Sequence, residues 1–131
     1  MSNVPGECLA EPALEPSGWY CKNSDNRPHS VAQKLPNAWG LYDVHGNLGE
    51  WVNDLFDGLG YGQGPLLDPR GTQTPGQDLL PNPTEFELRV FRGGVYSAPG
   101  DVCTAAERGG SARSHDTSLG LGFRLVRTRE P

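Results

Sequence analysis

Cysteine is scarce in this chain and poorly placed for a framework. Cys8, Cys21 and Cys103 form an odd set with no CxxC pair, which excludes a structural zinc site and a disulfide-dense scaffold. At most one internal disulfide can form, the spacing does not say which, and a reduced or buried thiol is the default for each. Long apolar runs are missing as well. Nothing approaches the ~20 residues of a membrane helix, and the start MSNVPGECLAEP lacks the basic and apolar blocks of a signal peptide. A soluble chain is expected, with its localisation left open. Basic charge is in deficit, with 11 Lys and Arg against 16 Asp and Glu, a net charge of −5 and a pI near 5.1. That balance leaves no electrostatic footprint for nucleic acid or an anionic membrane. His29, His45 and His115 lie far apart without paired spacing, so capping or exposed roles are expected of them rather than metal ligation or general-base work.

Glycine, proline and aromatics are what the chain has in quantity. Eighteen glycines and twelve prolines approach the level of low-complexity segments, but three tryptophans, four tyrosines and four phenylalanines supply core material. At 131 residues the chain is long enough for one modest domain and short for two, so residues 1–131 are taken as one unit. Residues 1–34 show no sustained period and suggest an irregular arm. Residues 55–86 are dense in Gly, Pro, Gln and Asp and suggest a long surface loop. Residues 88–91 suggest a strand ended by Gly93 and Gly94, and residues 122–127 a second strand in which Phe123 and Leu125 face a core. Residues 95–121 are small and polar.

One stretch points to chemistry. PNAWGLYDVHGNLGEWVND, residues 36–54, sets Asp43, Gly46, Asn47 and Glu50 in a short loop flanked by aromatics. On a helix, two acids seven residues apart would lie about 10 Å from one another, too far to share an ion. A turn at Gly46-Asn47 folds the segment back and brings both carboxylates and freed backbone carbonyls together. Calcium takes such an oxygen set at about 2.3–2.6 Å, although two solvated acids beside a tight turn give the same pattern.

Three blocks in order, PNAWGLYDVHGNLGEW, RVFRGGVY and LGFRLVR, resemble the signature blocks of the formylglycine-generating enzyme family, the sulfatase-modifying factors. The family pattern reads roughly PNxxGLYDMxGNVWEW, RVxRGGSW and GFRxxR. The resemblance implies an α+β, C-type lectin-like fold, in which long irregular loops ride on a small twisted antiparallel sheet. It implies a structural calcium ion held by the side chains of Asp43 and Glu50 and the carbonyls of Gly46 and Leu48. It also implies a copper site made by two cysteines five apart, the centre that oxidises a substrate cysteine to formylglycine. Here the chain departs from the pattern: Cys103 falls on the second position and Ala98 on the first, while Gly49 replaces a tryptophan and Val95 a serine. A lone thiolate does not make the two-sulfur site that copper(I) prefers.

The expectation is therefore a noncatalytic, calcium-stabilised module. Its C-terminal loops, with Tyr96, Ser97, Asp101, Arg113, His115 and Asp116 as candidate contacts, would meet a protein or small-molecule ligand. The alternative is an oxidase using Cys103 and copper, with a second sulfur from Cys8, Cys21 or a partner chain. Arg92 and Arg124 are expected to pair with acids or carbonyls that hold the sheet to its loops. Because domains of this family are longer, an uncovered apolar face is expected to favour a homodimer.

Overall fold

The computed structural model describes residues 7–56, 88–113 and 120–126. Their four strands, β1 (Gly49–Leu55), β2 (Leu88–Arg92), β3 (Gly109–Arg113) and β4 (Leu121–Gly122), form one sheet in the order β3-β2-β1-β4. Apart from a 3₁₀ turn at Gly100–Val102, the described residues contain no helix. β1 carries Trp51 and Val52, and β2 alternates so that Val90 is fully buried, the patterning that suits a pleated, half-buried surface. Antiparallel pairing sets Trp51 opposite Phe91 and Glu50 opposite Arg92, with a register shift before Leu55 meets Arg89. Aromatic pairs across strands are the usual unit of sheet stabilisation.

The sheet is mixed rather than purely antiparallel, because β4 runs parallel to β1 through Gly49–Leu121 and Glu50–Gly122. The strand expected over 122–127 also differs: β4 ends at Gly122, and Phe123 and Leu125 are 76% and 87% exposed. β4 pairs only with the first two residues of β1. Beyond it, no strand among the described residues pairs with residues 123–126, and it is Arg124 that turns inward, to Glu50. The strand expected at 88–91 is present as β2 and ends at Gly93 and Gly94, both at positive φ.

The arm has no strand or helix between residues 7 and 34, yet it supplies much of the core. Tyr20 and Ser24 are fully buried, and Val90, Cys103 and Asn47 from the rest of the described chain are at most 3% exposed. Its hydrogen bonds go to turns and to the sheet side: Cys21 N donates to the Ala98 carbonyl, and Ser24 Oγ donates to the Tyr96 carbonyl. Asn47 and His29 bond reciprocally, His29 N to Asn47 Oδ1 at 2.8 Å and Asn47 Nδ2 to the His29 carbonyl at 3.1 Å. His29 stacks on Trp19 at 3.7 Å, and Lys34 Nζ lies 4.3 Å from the Trp19 ring on the same arm. Cys8 and Cys21 are joined in a disulfide, a pairing the spacing alone left open. From residue 57 onward, the loop expected over 55–86 lies outside the described residues.

Candidate functional site

The bend between the arm and β1 is built from left-handed residues. Asp43, Gly46 and Asn47 have φ of 54°, 76° and 61°, the backbone that Gly, Asn and Asp tolerate best. Gly46 N donates to the Gly93 carbonyl at 2.6 Å and Asn47 N to the Trp19 carbonyl at 2.8 Å, so arm, bend and the end of β2 meet at one point. The turn that the sequence places at Gly46-Asn47 is therefore present, and Asp43, Leu48 and Glu50 line one cleft of about 330 Å³. Val31, Leu41, Tyr42 and Phe123 make its apolar walls and Arg124 its cationic group.

The two carboxylates are in different states. Asp43 Oδ2 accepts from Ala32 N at 2.7 Å, while Asp43 Oδ1 is buried with no partner among the described residues. Glu50 is engaged at both oxygens: Arg124 Nε donates to Oε2 at 2.9 Å and Nη2 to Oε1 at 2.5 Å. Nη2 also donates to the Tyr42 carbonyl at 2.7 Å. Pairing with Glu50 raises the Arg124 pKa, and the charge of Asp43 adds to it. Arg92 reaches the carbonyls of Ala106 and Glu107 at 2.7 and 3.0 Å. Both arginines thus tie sheet to loop as the sequence suggests.

The donor set fits a hard cation through one feature above all, the buried and unpartnered Asp43 Oδ1. A calcium ion here would be held by the side chains of Asp43 and Glu50 and by the carbonyls of Leu48 and Gly46, of which Gly46 is not among the residues that line the cleft, and it would supply an oxygen-bound cross-link between bend and strand. No group of three or more His, Cys, Asp or Glu gathers among the described residues, so backbone oxygens would have to complete the shell.

Copper does not fit. Cys103 is 2% exposed, and its Sγ lies 3.8 Å from the Val95 carbonyl. Cys8 and Cys21 are bonded to each other, so neither is a thiolate ligand. The neighbouring departures from the family pattern are closed by packing. A Cβ at Gly49 would sit 2.9 Å from both Leu121 Cδ2 and Phe91 Cδ2 and 3.3 Å from Val95 Cγ1. The side chain that replaces the family serine therefore helps fill the space beside the residue that replaces the family tryptophan.

Burial pushes the Cys103 thiol up to about 11, with the charge of Asp101 adding to it. The ordinary value is about 9, so between these limits the unfolded chain releases a proton that the folded chain keeps. Stability falls as pH rises through that window, by about 2–3 kcal/mol in all. Urea midpoints between pH 8.5 and 11 are expected to drop in the wild type and to lose that component of the slope in Cys103→Ala.

Of the candidate loop contacts, Ser97 and Asp101 are exposed around the 3₁₀ turn. Tyr96 is half-buried, and its backbone holds the segment to the arm and bend: its N–H donates to the Asn47 carbonyl and its own carbonyl accepts from Ser24 Oγ. Arg113 ends β3, and His115 and Asp116 lie outside the described residues. The structure adds Ser24 and Tyr20 as buried supports of the arm and of the Tyr96 segment, and no periodic signal in the sequence marks either.

A family model described as the sulfatase-modifying factor enzyme 1-like domain matches residues 11–129. The chain is 34% identical to a formylglycine-generating enzyme of Streptomyces coelicolor, over 86% of this chain and 38% of that protein. It is 32% identical to the serine/threonine-protein kinase pkn1 of Chlamydia pneumoniae over 79 residues, 60% of this chain and 11% of that one. Among solved structures, Treponema denticola variable protein 1 superposes with a TM-score of 0.60 and 30% identity, over 87% of this chain and 37% of that one. The chain therefore spans well under half the length of these relatives. The small mixed sheet with little helix is C-type lectin-like, and the chain belongs to the sulfatase-modifying factor enzyme 1-like domain family.

Proposed function

We propose that this chain is a noncatalytic member of its family, a scaffold whose bend is stiffened by calcium and whose C-terminal loops carry a recognition surface for a protein or small-molecule ligand. The observation that carries the proposal is the state of the cysteines. Cys103 is buried and held protonated, and the other two are bonded to each other. A thiol closed off from solvent, with no second free cysteine in the chain, is poorly placed to attack a substrate or to make the two-sulfur site that copper(I) prefers. The filled space at Gly49 and Val95 supports the same conclusion. The unpartnered oxygen of Asp43 supports the cation. Exposed Ser97 and Asp101 stand on a segment tied to the frame by Tyr96 N to the Asn47 carbonyl and by the Ala98 carbonyl to Cys21 N, the arrangement in which a rigid frame presents variable side chains.

An oxidase is the second reading, favoured by the 34% identity to a formylglycine-generating enzyme. Incubation with copper, oxygen and a peptide carrying a sulfatase-type CxPxR segment separates the two. Mass spectrometry is expected to find the peptide thiol unchanged. Conversion of that thiol to an aldehyde, abolished by Cys103→Ser, overturns the proposal.

A further inference from the structure

We infer that Arg124 is a built-in competitor for the cation at the Asp43–Glu50 bend, so that this one side chain sets how tightly the bend binds a divalent ion. The inference rests on the reading of the bend as a cation site. Arg124 comes from the segment after β4 and pairs side-on with Glu50, one guanidinium nitrogen to each carboxylate oxygen, at 2.9 and 2.5 Å. It is anchored further by the Tyr42 carbonyl at 2.7 Å. A bidentate fork of this kind is the strong form of a charge-assisted pair.

A calcium ion that chelates Glu50 through both oxygens needs the same edge of the carboxylate. The carboxylate has outer lone pairs to spare, but an ion there would face the guanidinium as a like charge within one cleft. Asp43 differs. Its Oδ1 is untouched by Arg124 and buried without a partner among the described residues. The bend therefore offers an ion one ready carboxylate and one already claimed. Binding requires the guanidinium to be displaced or Glu50 to be shared through a single oxygen.

Calcium titration calorimetry on the whole chain tests this, with melting in calcium and in chelator alongside. Arg124→Gln is expected to bind calcium at least about tenfold more tightly than wild type while melting lower in chelator. Arg124→Lys, which keeps the charge and loses the fork, falls between them. If Arg124→Gln folds only when calcium is present, that has the same sign. Equal or weaker binding by both variants, with wild type binding normally, overturns the competition and leaves the cation site standing. Absence of binding heat and of any calcium-dependent melting shift in all three chains removes the cation site, and the competition with it.

Discussion

Gly46→Ala is expected to lower the stability of this protein by about 3 kcal/mol or more, a fall of about 10 °C in melting temperature for a chain of this size. Two costs add. At φ of 76° any L side chain is strained, by about 1–2 kcal/mol. The added methyl also runs into the Trp19 carbonyl, its carbon 2.7 Å away and its oxygen closer still. Backbone cannot step aside there cheaply, because Trp19 O is the acceptor for Asn47 N and Gly46 N is bonded to Gly93 O. Gly40→Ala is the matched control. Gly40 has φ of 77° with nothing within 4 Å of the added carbon, so only the conformational cost applies. Differential scanning calorimetry of the two variants decides the point. A Gly46 variant that loses no more than the Gly40 variant would show that the arm does not close on the bend as described.

How far the sequence could be read follows from which interactions are local. The Gly46-Asn47 bend was legible because positive φ leaves a residue-type signature at the site itself. β2 was legible because a short run with a β-branched and an aromatic residue, LRVFR, stops at two glycines. The arginines were legible in kind, since long cations beside family glycines seek acids or carbonyls. Their partners were not: Arg124 and Glu50 are 74 residues apart in sequence. Phe123 and Leu125 misled for the same reason. The sequence alternates over 122–127, but β4 pairs with β1 over two residues only, and Phe123, Leu125 and Val126 are all exposed. The Cys8–Cys21 pairing and the burial of Tyr20 and Ser24 left no trace in periodicity, because the arm is held by turns and by bonds to distant carbonyls. The Asp43–Glu50 pair was legible from the turn itself and the carbonyl ligands came from family resemblance; the structure gives Asp43, Leu48 and Glu50 a common cleft and Glu50 a partner in Arg124.

Tyr20→Ala is expected to cost about 3–5 kcal/mol, the range for emptying a fully buried aromatic site. Tyr20 is 0% exposed although its neighbours in the arm show no periodic pattern. Its hydroxyl accepts from Glu11 N at 2.7 Å and donates toward Glu15 at 3.5 Å, and its N–H donates to Asn23 Oδ1 at 3.0 Å. The ring packs beside Gly100, where an added Cβ would lie 3.2 Å from Tyr20 Cδ2. Tyr20→Phe keeps the ring and strands the Glu11 donor, at about 1–2 kcal/mol. The pair of variants thus separates packing from hydrogen bonding. Both also reach Cys103, because the ring backs the 3₁₀ turn whose Gly100 carbonyl accepts from Cys103 N at 3.1 Å. Labelling of Cys103 by a thiol reagent at pH 8, read by peptide mass mapping, is expected to be slow in wild type, little changed in Tyr20→Phe and clearly faster in Tyr20→Ala. Equal labelling rates in all three would mean that the arm does not hold the thiol's cover in place, and that Cys103 is sealed by Gly94 and Val95 alone.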